Sequence, residues 1–119
     1  MIDRAKLKSF MAKEQDRFLA RTPKSASLFE QAKGVMPGGV PMSWMSKWPG
    51  AYPLFVESAN GSKFTDVDGN TYIDLCLGDT GSMTGHSPAA TVDAIKNQIG
   101  KGITAMLPTA DAVAVSTEL

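Results

Sequence analysis

The sequence predicts an α+β fold in which N-terminal helices lead into a three-stranded antiparallel meander, with helix resuming afterwards. Three observations carry this. Apolar residues recur at helical spacing over residues 2–19. Short β-prone runs between residues 54 and 75 are punctuated by Asn60-Gly61 and Asp68-Gly69, and Val92, Ile95 and Ile99 then return to the helical period.

In the first segment Ile2, Leu7, Phe10, Met11, Phe18 and Leu19 stand among Lys6, Lys8, Lys13, Glu14, Asp16 and Arg17, the pattern of an amphipathic helix over residues 1–20. Such a stripe needs a surface to cover it, and in so short a chain a second subunit is a candidate; the alternative is a frayed, solvated terminus. Arg21-Thr22-Pro23 interrupts the pattern. Ser25 or Ser27 is placed to cap a second helix, in which Leu28, Phe29, Ala32 and Val35 share one face and which stops near Gly34. In Met36-Pro37-Gly38-Gly39-Val40-Pro41 the prolines lack backbone donors and the glycines admit positive φ, so a loop of defined shape is expected. Residues 42–49 are rich in large apolar groups without a clear period.

The runs Leu54 to Ser58, Lys63 to Asp66 and Thr71 to Leu75 read as the three strands, because Asn-Gly and Asp-Gly suit tight hairpin turns. Three strands are about the minimum for a sheet, which would still need something packed on its apolar face. Cys76 to Pro88 is a second glycine-punctuated loop. Pro88 sits near the first turn of a third helix that Gly100 and Gly102 end. A helical pattern resumes over 110–119 and stops without a terminating signal, as if the chain were cut there.

At 119 residues, 43% apolar and 20% charged, the chain suits at most one small globular domain and not a disordered tail. Twelve basic and twelve acidic side chains cancel, which argues against a nucleic-acid or anionic-lipid partner. Cys76 has no partner for an intramolecular disulfide, and charged residues follow Met1 where a secretory signal would be apolar, so a reducing, cytoplasmic setting is expected. No run approaches the ~18 apolar residues of a membrane span. The single histidine, His86, has no companion ligands at zinc spacing.

Several motifs invite sharper readings. Asp66-Val67-Asp68-Gly69 resembles the start of a calcium loop, but with Gly69 in the glycine position the first ligand would be Phe64 and the last Leu75, so a hairpin turn is the better reading. Pro37-Gly38-Gly39 lacks the Gly-Lys-Ser/Thr of a phosphate loop. His86 suits a general base chemically, yet no nucleophile or orienting carboxylate stands at a recognisable spacing, which favours a histidine that hydrogen-bonds local backbone. Cys76, following a strand, reads as a small buried hydrophobe. Trp44 and Trp48 could line a pocket or cap the core.

In order along the chain, Lys33-Gly34-Val35-Met36-Pro37-Gly38-Gly39-Val40, the run Phe64 to Asp74 with its Asp-x-Asp-Gly-x-x-Tyr-x-Asp pattern, Gly85-His86-Ser87-Pro88, and Ala94-Ile95 with Gly100 to Gly102 resemble the start of class III pyridoxal-phosphate-dependent aminotransferases. The likeness spans about Ser27 to Leu119 and is strongest to the glutamate-1-semialdehyde aminomutase and β-amino-acid transaminase branch. It implies a fold-type-I α/β enzyme that is a homodimer, with residues 21–88 in a small domain and residues 89–119 opening the large cofactor domain. It also implies transfer of an amino group between an amine or amino acid and a keto acid; an aminomutase is the alternative, and a non-catalytic dimerisation or binding module is the rival if the chain ends at residue 119.

The cofactor lysine, the phosphate loop and the aspartate that pairs with the pyridine nitrogen of pyridoxal 5'-phosphate would all lie downstream. Lys33, Lys47, Lys63, Lys96 and Lys101 match no cofactor-lysine motif, so no catalytic or cofactor-binding residue is assigned here. The likeness carries over a substrate entrance at Val40, Met42, Trp44, Met45 and Asp79. In that branch the loop after Pro-Gly-Gly often supplies an arginine for the substrate carboxylate; Met42 and Met45 occupy the positions that could hold it, and Asp79 stands where an aromatic residue is usual.

Overall fold

Helix α1 runs from Arg4 to Arg21 in the computed structural model, which describes residues 2–47 and 49–119. Asp3 caps it by accepting the Lys6 amide at 3.0 Å, and no residue of the helix is buried. A one-residue break at Thr22 separates α1 from α2, Pro23–Lys33. Proline is suited to that first turn, where no intrahelical donor is required.

The expected serine cap of α2 is replaced by a longer-range one. The Asp68 carboxylate, from the second hairpin turn, accepts the amides of Lys24 at 2.7 Å and Ser25 at 3.0 Å, an anion on the positive end of the helix. Ser25 is instead fully buried, and its Oγ accepts the Phe55 amide at 3.2 Å. Val35 falls outside α2 and is exposed, so it does not share the face that buries Ala32.

The meander comprises β1 (Val56–Asn60), β2 (Lys63–Asp66) and β3 (Thr71–Ile73), antiparallel in the order β1-β2-β3. Asn60 pairs with Lys63 and Thr65 with Thr71, while the register shifts between Val56 and Ser58. Gly61 and Gly69, at φ 55° and 89°, take the left-handed positions of the two turns. Phe64 stacks on Tyr72 across strands, with ring centroids 5.0 Å apart.

Two compact units divide the chain, one ending at His86 and the other beginning at Ser87. Among the described residues the buried apolar ones are Ala32, Val40 and Tyr52. Tyr52 packs beside Phe18 and Phe29, and its hydroxyl lies 3.1 Å from Thr22 Oγ1 and 3.2 Å from the Thr22 carbonyl. The largest fully buried side chains are Thr22, Asp66 and Ser25, so the centre of the first unit is a hydrogen-bonded junction between helices and meander.

The second unit holds α3 (Ala89–Ile99) and α4 (Ala110–Glu118), neither with a buried residue. Among the described residues no helix is long and apolar enough to cross a membrane. Trp48 lies outside the described residues, and Cys76 is exposed where a buried hydrophobe was expected.

Candidate functional site

The Pro-Gly-Gly segment builds one wall of the site. Pro37–Gly39 forms a 3₁₀ turn, with Gly38 and Gly39 at φ 69° and 71°. A Cβ on Gly39 would lie 2.8 Å from Phe29 Cε2, so only glycine lets the turn close against α2. That closure buries Val40. A second short 3₁₀ turn, Ser43–Lys47, gives residues that lacked a period a defined shape; Met45 N donates to the Met42 carbonyl at 2.9 Å, and Ser46 Oγ donates to the Ser43 carbonyl at 2.6 Å.

Between these turns and the approach to β1 lies a groove of about 320 Å³, lined by Val40, Pro41, Trp44, Met45, Leu54 and Phe55 with flanking Gly39, Pro53 and Val56. None of these side chains is charged. The groove is shaped for an apolar body and, among the described residues, offers no charged side chain to a carboxylate.

Of the five positions the sequence singles out, the structure gathers Val40, Trp44 and Met45 around this groove. Met42 is half-exposed and stands outside the lining, and Asp79 occupies an exposed loop of its own at φ 51°.

At the base of that loop is a pair that sequence reasoning missed. His86 Nε2 lies 2.6 Å from Asp74 Oδ2, and both side chains are largely shielded. The bond to His86, ahead of those from the Leu77 and Cys76 amides, holds the Asp74 carboxyl below the ordinary carboxylate range. An ionised carboxylate only accepts, so Nε2 carries the proton. The expected bond from the His86 ring to local backbone is thus replaced by one to a carboxylate, while the His86 main chain exchanges both amide–carbonyl bonds with the distant Gly61 at 2.9 and 2.8 Å. The orienting carboxylate was hidden because it lies across the loop, twelve residues away.

A second network centres on Asp66, which accepts from the Asp68 and Asn70 amides, the Asn70 side chain and the Tyr72 hydroxyl. Burial alone raises its pKa; the bonds from Asn70, Tyr72 and Asp68 outweigh that and leave it lowered. Burial, and next the bond donated to Asp66, raises Tyr72. Both carboxylates of the Asp-x-Asp motif are thus committed to the turn and to the α2 cap.

The described residues do not fit pyridoxal phosphate. No lysine lines the groove, and Lys33 is turned to Glu30 at 2.7 Å.

No protein-family model matches the chain. It is 43% identical over 79 residues to a glutamate-1-semialdehyde 2,1-aminomutase of Methanococcoides burtonii, covering 66% of this chain and 18% of that protein. A Thermodesulfovibrio yellowstonii protein of the same name is 43% identical over 90 residues, 75% of this chain and 21% of its own. Among solved structures, a glutamate-1-semialdehyde aminomutase of Pseudomonas aeruginosa superposes with TM-score 0.89 at 40% identity, over 98% of this chain and 26% of that one. A β-phenylalanine aminotransferase of Variovorax paradoxus gives 0.74 at 26% identity, over 86% and 23%. The chain therefore spans about a fifth to a quarter of the length of these relatives. In sequence and in fold the chain is similar to the N-terminal segment of class III pyridoxal-phosphate-dependent aminotransferases, fold-type-I enzymes that include the glutamate-1-semialdehyde aminomutases.

Proposed function

We propose that this segment forms the substrate entrance of an enzyme that uses pyridoxal phosphate, bound by residues beyond this segment, to transfer an amino group between an amine or amino acid and a keto acid. The observation that carries the reading is the 0.89 superposition over nearly the whole chain at 40% identity. Residues 21–88 belong in this reading to a small domain, with residues 89–119 opening the large one. Val40, Trp44 and Met45 shape the entrance, while Met42 and Asp79 reach substrate only in the assembled enzyme.

A homodimer in the cytoplasm completes the proposal. Leu7, Phe10, Met11 and Leu19 leave an exposed apolar stripe on α1 that a second subunit would cover. An aminomutase is the second reading, favoured by the names of relatives described above. Product stoichiometry separates the two: a transaminase consumes a donor and an acceptor, whereas an aminomutase converts one substrate into its isomer.

The uncharged groove favours a bulky or aryl-bearing substrate over a small α-carboxylate, with burial worth about 25 cal/mol per Å² of apolar contact. Met45→Arg in the intact enzyme tests this through kcat/KM for paired substrates with and without a carboxylate. The ratio should shift toward the carboxylate by about tenfold or more, since a charge-assisted bond contributes about 1.5–3 kcal/mol. An unchanged ratio with a lower melting temperature would place Met45 in packing alone.

A further inference from the structure

We propose that Asp74 and His86 form a clasp that holds the intervening loop, residues 75–85, in the conformation that presents Asp79 to substrate. They are positioning residues, not catalytic ones. The clasp stands on the geometry of the first unit; its consequence for substrate rests on the entrance reading above.

One carboxylate closes the loop from both ends. Asp74 Oδ1 accepts the amides of Cys76 and Leu77, each at 2.9 Å, where the loop leaves β3. Its Oδ2 takes His86 Nε2 where the loop returns. Both ends are pinned to the β1–β2 turn as well. Asp74 N donates to the Ser62 carbonyl at 2.8 Å, and His86 is joined to Gly61 in both directions. Gly85, at φ 93°, brings backbone against backbone, because a Cβ there would sit 3.3 Å from Gly61 Cα.

The loop's interior offers much less restraint. Among the described residues its backbone bonds are short-range, from Asp79 to Cys76, Gly81 to Gly78, Ser82 to Leu77 and Gly85 to Ser82. Leu77, Asp79 and Thr80 hold φ of 51°, 51° and 78°, a region that side chains beyond glycine resist. Such a conformation persists where the surroundings over-determine it. The clasp joins the two ends of the loop side chain to side chain; the ionisable side chains nearby include Cys76 and Asp79 in the loop and Lys63, opposite Ile73 on β2. A geometric restraint that sets where Asp79 stands should affect substrate binding before it affects turnover.

The test uses the intact, cofactor-loaded enzyme, with hydrogen exchange of peptides across residues 75–85 and steady-state kinetics. His86→Ala should speed exchange in the loop by about tenfold, the loss expected for one charge-assisted hydrogen bond at its base, and raise KM about fivefold with kcat nearly unchanged. His86→Gln, whose amide reaches the same carboxylate oxygen, should restore both. Should His86→Ala fail to accumulate, slower loop exchange in His86→Gln than in His86→Asn, whose amide falls short of Asp74, supports the clasp. Equal loop exchange in variant and parent overturns it. Faster exchange with unchanged KM and kcat supports the clasp and overturns the entrance reading of the loop.

Discussion

Gly39 and Gly69 both hold positive φ, 71° and 89°, yet they are constrained differently. Nothing lies within 4 Å of a Cβ built on Gly69, whereas one on Gly39 meets the Phe29 ring at 2.8 Å and Lys33 Cγ at 3.2 Å. Gly69→Val should therefore cost about 1–2 kcal/mol from backbone conformation alone. Gly39→Ala should exceed Gly69→Ala in thermal denaturation of the same protein, by about 1–3 kcal/mol of overpacking against the Phe29 ring. Equal costs would remove the steric argument for Gly39. Asp66 supplies a pH test. Its folded pKa is lowered, so its contribution to stability is fully present above the unfolded carboxyl value, about 3.9, and disappears as pH falls through the lower folded value. Asp66→Asn should cost about 1–3 kcal/mol at neutral pH and flatten the acid limb of stability against pH, measured by denaturant unfolding; an unchanged acid limb would count against the network.

At the scale of elements, the cap of α2 is the most consequential contact that no local pattern announces. Asp68→Ala should lower stability by about 1–2 kcal/mol and speed exchange of the first-turn amides of α2, with Asp68→Asn intermediate because one side-chain acceptor remains. An effect confined to the β2–β3 turn would show that the cap carries no energy. The meander was legible because its information is local: Asn60-Gly61 and Asp68-Gly69 mark both turns within a few residues of the strands they join. Ser25 misled for the opposite reason. A serine ahead of an apolar face has the chemistry of a cap, but Asp68, 43 residues on in sequence, takes the Ser25 amide and frees the hydroxyl for Phe55. The shift at Glu57 in β1 and the 3₁₀ turn at Ser43–Lys47 were likewise beyond periodicity, which registers neither a displaced register nor a five-residue turn.

For the molecule as a whole, the exposed apolar side chains explain what the sequence could and could not disclose about the site. Ile99, Met106, Leu107 and Val113 in the second unit, like Leu7 and Phe10 in the first, are exposed although their types favour burial. The ordered motifs disclosed the family resemblance, and that resemblance supplied Val40, Trp44 and Met45, which line one groove because turn and groove are contiguous in the chain. Asp79 could not be joined to them, since its place relative to substrate depends on a loop closed by Asp74 and His86 and, in the proposed enzyme, on residues outside this segment. The central claim is that this segment shapes an entrance while the cofactor is held elsewhere. Borohydride reduction of the intact protein loaded with pyridoxal phosphate, followed by peptide mapping, tests it most directly. The account predicts a single pyridoxyl-lysine outside residues 1–119; a label on Lys33, Lys47, Lys63, Lys96 or Lys101, or no labelled lysine at all, would contradict it.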